Sequence, residues 1–183
     1  MRRDLVIQAM AGDHEAFSEL ARLSVDWLHA VARLILHDPE RAKDATQEAL
    51  VAAWRDLAAL RDPDKFEPWL RRLLVRACYK EARKERNRRA IEVHIPNLDH
   101  GVPDASGALA DRDSLERGFR SLAPEQRALI VLHYHVGLPL QETADALGLP
   151  LGTVKSRLFR STRVLRAALE ADARNGHHPG GPA

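Results

Sequence analysis

A glycine between two short amphipathic stretches constrains this chain more than any other feature. Leu140, Ala144 and Leu147 recur at helical spacing, Gly148 follows them, and Val154, Leu158 and Leu165 resume the apolar stripe. Two helices around a tight corner form a helix-turn-helix, LPLQETADALGLPLGTVKSRLFRSTRVLRAAL, from Leu138 to Leu169. At about 100° per residue, Val154, Leu158, Ser161 and Leu165 share one side of the second helix, which is predicted to begin near Leu151. Ser156, Arg160 and Arg163 then lie on the opposite side, with Lys155 and Arg157 on its flanks. Lys and Arg on such a helix can donate to guanine edges in a major groove, and hydroxyls can reach bases or phosphates. Thr153, Lys155, Ser156, Arg157 and Arg160 are the expected duplex-reading set, and Arg163 and Arg166 are expected phosphate contacts further along.

The 183 residues suffice for one ordinary domain or two small ones. A net charge of +2 conceals a segregation. Trp69 to Ala90 carries nine Lys/Arg against two Glu, while Ile91 to Glu116 carries six acids against the single base Arg112. Sign asymmetry of this kind marks an electrostatic footprint better than the total does. The lone Cys78 excludes an internal disulfide and fits a reducing compartment. With no signal-like run and no stretch of membrane-spanning length, a cytoplasmic protein is expected.

An all-α fold is predicted, because no strand pattern occurs. Asp13 can cap a helix with apolar positions Phe17, Leu20, Leu23, Trp27, Leu28, Val31 and Leu34, ending near His37. Asp38 and Pro39 open the next helix, which runs through Ala42, Leu50 and Trp54 to about Leu60. Asp62 and Pro63 make a short corner before a long helix from about Phe66 to Ala90. The stretch from Ile91 to Ala110 holds prolines, glycines and acids and reads as a flexible linker between two helical domains, residues 1–90 and 111–170. Residues 171–183 read as a disordered tail.

Leu70, Leu73, Leu74 and Ala77 fall on one side of the long helix. Arg72, Arg76, Tyr79 and Arg83 follow one another on the other side, bordered by Trp69. Cations with aromatics between them suit single-stranded DNA, since Arg neutralises the backbone while a ring stacks on an unpaired base. Trp69 also fits as a core residue at a helix start. Asp44, Gln47 and Glu48 share a third outward face, turned away from Leu50, Trp54 and Leu57.

Catalytic and metal chemistry find little footing, and no cofactor is expected. His133 and His135 diverge by about 200° on a helix, which is wrong for shared ligation, and His177 and His178 fall in the tail. Cys78, at the margin of an apolar face, reads as a buried thiol. On the residues alone, a repressor or activator using only the helix-turn-helix stays open, as does a DNA-processing enzyme with a binding tail.

Three segments together are similar to the extracytoplasmic-function group of the sigma-70 family of bacterial transcription initiation factors. They are RAKDATQEALVAAWRDL (Arg41 to Leu57), FEPWLRRLLVRACYKEARKERNRR (Phe66 to Arg89) and LAPEQRALIVLHYHVGLPLQETADALGLPLGTVKSRL (Leu122 to Leu158). The resemblance implies two small helical domains, region 2 and region 4, and core RNA polymerase and promoter DNA as partners. Region 4, expected to meet the β flap, would bind the −35 element as duplex through Thr153, Lys155, Ser156, Arg157, Arg160 and Arg163. Region 2 would capture the opened −10 strand through Arg61, Asp62, Lys65, Trp69, Arg72, Arg76, Tyr79 and Arg83. Asp44, Gln47 and Glu48, extended by Arg55, would dock on the β′ clamp helices. Asp99, Asp104, Asp111 and Asp113 would carry the acidic linker toward the polymerase active-site channel, and an anti-sigma protein is a further implied partner. Several positions depart from the family pattern. Lys43 and Ala45 would retune polymerase docking, Arg76 and Lys80 would add positive charge to the strand-facing side, and Leu151 replaces a common Glu.

Overall fold

The computed structural model describes residues 2–92 and 108–176. Most of the expected linker (93–107) and the end of the expected tail (177–183) lie outside these described residues, as do Asp99, Asp104, His177 and His178. Among the described residues the chain is helical, without strands. Residues 171–176, expected in the tail, are instead helical, because the helix that starts at Leu151 runs on to Gly176.

Helix α1 (Arg2–Met10), which sequence periodicity did not announce, buries Val6 and Ala9 in the first core. It is tied down by Arg2, whose guanidinium donates to Ser24 Oγ at 3.0 Å and lies 2.7 Å from Glu67. Helix α2 (His14–Leu36) starts where Asp13 Oδ1 accepts the Glu15 and Ala16 amides at 2.9 and 3.0 Å. It stops at His37, left-handed at φ 60°, whose amide returns to Arg33 O. Asp38 at once caps α3 (Pro39–Asp56) through the Arg41 amide, so two helices are joined by a two-residue corner. Ala42, Ala45, Ala49 and Ala53 form a fully buried small-residue stripe on α3, and it is this stripe that lets α3 lie closely against its neighbours. Leu57–Ala59 and Pro63–Lys65 tighten into 3₁₀ turns before α4 (Phe66–Glu92).

Helix α4 seals the first core with Phe66, Leu70, Leu74 and Cys78. Each buried leucine contributes about 1.5–3 kcal/mol relative to exposure. Cys78 is wholly buried, and desolvation pushes its thiol up to about 12. The helix also buries Glu81 and Glu85, which require partners. Lys84 pairs with Glu81, and Glu85 is held by Arg41 at 2.7 Å and Arg88 at 2.8 Å.

The second half contains α5 (Ala108–Ser121), α6 (Pro124–Ile130), a π turn (Val131–His135), α7 (Leu140–Leu147) and α8 (Leu151–Gly176). Asp111 and Asp113 therefore belong to a helix. The core here is Leu122, Leu129, Ile130, Ala144, Val154 and Leu158. A Cβ on Gly118 would come 2.8 Å from Leu165 Cδ1, so α5 and α8 approach closely at that point. His133 is occupied locally, its Nδ1 2.8 Å from Leu138 O.

The halves are packed against each other. Ala128 and Val131 join the core of the first half, while Val75 of α4 is buried with Leu132, Leu138 and Ala146 in a cluster of its own. Arg71 faces Glu142 at 3.8 Å, Arg86 faces Glu125 at 3.5 Å, and His37 faces Glu116 at 3.5 Å across the same seam.

Candidate nucleic-acid and polymerase interfaces

Gly148 adopts φ 66°, a region open to glycine at little cost, and the Leu149 amide returns to Ala144 O at 3.0 Å. The corner sets α8 with Val154, Leu158 and Ser161 buried and Lys155, Ser156, Arg157, Arg160 and Arg163 exposed, while Thr153 is half-buried. Among the described residues no carboxylate pairs with these bases. Arg160 Nε donates to Ser156 O at 3.2 Å and Ser156 Oγ to Thr153 O at 3.0 Å, which steadies the row along the helix. Phe159, 64% exposed, stands among these donors with the Arg163 guanidinium 5.8 Å from its ring centre. The sequence reading overlooked it. Its offsets from Ser156 and Lys155 place it on the outward face, where an uncovered ring suits a thymine methyl.

The second basic face is less open. Arg61, Asp62 and Lys65 are exposed around the 3₁₀ turn, where Asp62 Oδ1 accepts the Asp64 amide and so shapes the loop. Arg76 and Arg83 are exposed and Arg72 is half-buried, none paired with a carboxylate among the described residues. Trp69, Arg72, Arg76 and Tyr79 line a cavity of about 450 Å³ whose other wall is Asp145, Ala146, Leu147 and Gly148 from the second half. Tyr79 does not face outward as its place in the basic row implied. It packs against the seam cluster, and burial raises its hydroxyl well above the ordinary value. Trp69 is half-buried against the first core and 6.1 Å from Phe66. Lys80, one turn on from Arg76, is exposed and pairs with Glu48 of α3, so its charge is met there by a carboxylate.

Asp44 and Gln47 are exposed on α3, and Glu48 is half-buried beneath Lys80. Arg55 is engaged by Asp56 at 2.8 and 3.0 Å. Ala45 points away from this face and is entirely buried, so its small side chain sets helix spacing and does not retune docking directly. Gln47 and Lys43 rim an apolar groove of about 580 Å³ formed with Phe17, Val51 and Trp54. Trp54, expected on the inner side, is 37% exposed, tilted against His14 at 4.6 Å and Phe17 at 4.9 Å. Val51 is 57% exposed. Alternation of charge and apolar residues along α3 hid this groove in the sequence.

Among the described residues no helix is long and apolar enough to cross a membrane. Residues 20–88 match the family model for sigma-70 region 2, and residues 112–165 match that for sigma-70 region 4. Over 168 residues, 91% of this chain and 83% of the relative, the sequence is 33% identical to the ECF RNA polymerase sigma factor SigM of Mycobacterium tuberculosis. It is 36% identical over 163 residues to the RNA polymerase sigma-E factor of Streptomyces avermitilis, covering 87% of this chain and 88% of that one. Among solved structures, CnrH in complex with the cytosolic domain of CnrY is similar with a TM-score of 0.65 at 29% identity, covering 93% of this chain and 97% of that chain.

Proposed function

Because the chain belongs to the extracytoplasmic-function group of the sigma-70 family, we propose that it delivers core RNA polymerase to promoters by using α8 on duplex DNA and α4 on opened strand. The chain is an RNA polymerase sigma factor, and nucleotide polymerisation belongs to the partner enzyme. The observation that carries the finer reading is the pair of cationic faces on separate helices, both without acidic partners among the described residues.

The two faces differ in kind. On α8, Thr153, Lys155, Ser156, Arg157 and Arg160 would read the −35 duplex, Phe159 would touch a thymine methyl, and Arg163 would hold phosphate. On α4 and the turn before it, Arg61, Asp62, Lys65, Trp69, Arg72, Arg76 and Arg83 would engage the −10 strand. Flipping a base out of its stack costs a few kcal/mol, which stacking and charge must offset. Tyr79 would join only once the second half has moved. Asp44, Gln47 and Glu48 would meet the β′ clamp helices, the second half would meet the β flap, and an anti-sigma protein would compete for the free chain. Asp99, Asp104, Asp111 and Asp113 would carry negative charge toward the polymerase active-site channel.

Purified chain incubated with core polymerase on a promoter library tests this. Start-site-specific transcripts that require both proteins are expected. A chain that shifts promoter DNA but never supports initiation would refute the assignment and leave a plain regulator.

A further inference from the structure

We propose that α1 is a positioning element for the strand-binding turn, with Arg3 holding Asp64 and Arg2 pairing with Glu67, so that the turn keeps one shape and two nearby acids are cancelled. This rests on the reading of Arg61, Asp62 and Lys65 as strand contacts. From Ala58 to Lys65 no residue is buried, so the stretch between buried Leu57 and buried Phe66 has no anchor of its own in the core. The Leu60 amide donates to Leu57 O, the Lys65 amide to Asp62 O and the Asp64 amide to Asp62 Oδ1, each at 3.0 Å, and all three bonds are local. The tie to another helix is a side-chain bond. Arg3 Nε donates to Asp64 Oδ1 at 3.1 Å.

Helix α1 is itself held in place. Val6 and Ala9 are buried in the first core, the Asp13 amide returns to Gln8 O at 3.1 Å, and Asp13 then caps α2. Arg2 donates to Oγ of the buried Ser24 at 3.0 Å while its guanidinium lies 2.7 Å from Glu67. The helix therefore links the middle of α2 to the turn and to the first residues of α4. Residues 61–67 carry two bases, Arg61 and Lys65, against three acids, Asp62, Asp64 and Glu67, for a net charge of −1. Arg2 and Arg3 change that to +1. An acid within about one Debye length of a phosphate repels it, ~10 Å at 0.1 M salt, so an uncovered Asp64 between Asp62 and Lys65 opposes an approaching strand. Arg3 and Asp64 are both more than half exposed, and an ion pair so exposed adds little to folding stability. Losing it should tell on strand affinity and base preference, not on the melting temperature.

The test uses holoenzyme on duplex promoters whose −10 elements are randomised, reading which sequences open, alongside thermal unfolding of the free full-length chain. Arg3→Ala should lower opening by about fivefold, the upper end for an exposed pair, and shift the preferred base at one or more −10 positions with the melting temperature unchanged. Arg3→Lys, which keeps the charge, should recover most of the loss. Combining Arg3→Ala with Asp64→Asn should restore opening, because no uncovered acid then remains at that position. A melting temperature that falls while the preferred bases stay fixed would reduce α1 to a structural support and overturn the proposal. So would an Arg3→Ala defect that persists in full beside Asp64→Asn, since Arg3 would then be meeting the strand itself. Lys65→Ala marks the underlying reading. If it leaves opening and base preference untouched, the turn does not contact the strand, and the strand-face reading falls together with the proposal. If Lys65→Ala acts and Arg3→Ala does not, the positioning role alone is lost.

Discussion

The basic faces of α8 and α4 are built from the same residue types, yet they stand in different circumstances. On α8 the charged residues rise from a helix whose opposite side is fixed in the core by Val154 and Leu158, and among the described residues no carboxylate pairs with them. On α4 the row includes Tyr79 and flanks Val75, and both are packed against the second half. The difference teaches that charge alone identifies a nucleic-acid face but does not say when it is available. One row stands clear of the core that carries it, whereas the other shares its helix face with a packed neighbour.

The comparison breaks most completely if the scaffold under α8 is removed. Leu129→Ala leaves a cavity at a fully buried position, and a loss of about 2–5 kcal/mol is expected in denaturant unfolding, together with the loss of duplex binding. Arg160→Ala should weaken duplex binding by ~1–3 kcal/mol and relax preference at one base pair, as read by competition among variant −35 sequences. Arg76→Ala in the free chain should leave the same duplex assay unchanged, which sharpens the contrast between the faces. Arg163→Ala should act more evenly, lowering affinity across sequences and reducing the salt slope by ~1.

How much of this was legible in the sequence depended on the range of the interaction. Asp13, Asp38 and Gly148 act on residues a few positions away, so the caps and the helix-turn-helix corner could be read from spacing. The outward side of α8 follows from the same arithmetic, which also puts Phe159 there. Long-range packing was not readable. Tyr79 satisfies the period of the basic row as well as it satisfies the seam, and only the position of α7 decides between them. Lys80 likewise needed α3 in place before Glu48 could claim it. Helix α1 gave no periodic signal because its apolar residues Leu5, Val6, Ile7, Ala9 and Met10 follow almost consecutively and fall all round the helix, although only Val6 and Ala9 are buried.

The smallest expected effect concerns acidity. Desolvation, then Arg127 of α6 and Arg120 of α5, lower the His37 pKa, while Glu116 opposes them. The closed chain thus disfavours the imidazolium, whereas an opened chain would protonate near the ordinary value of about 6.5. Closure is fully supported above about pH 6.5 and loses support as pH falls below it toward the lowered value. Energy transfer between dyes on Glu40→Cys and Ala167→Cys, one exposed position on each half, should decline over that window, and His37→Asn, which tolerates the left-handed backbone, should flatten the response.

The division of labour between the faces is most directly tested by following promoter opening and promoter binding separately in holoenzymes carrying substitutions on one face at a time. Permanganate reactivity of −10 thymines should disappear in Arg72→Ala with Arg76→Ala while the −35 footprint persists, and the footprint should be lost in Arg157→Ala with Arg160→Ala. If both double variants failed at the same step, two faces with separate tasks would be the wrong account of this chain.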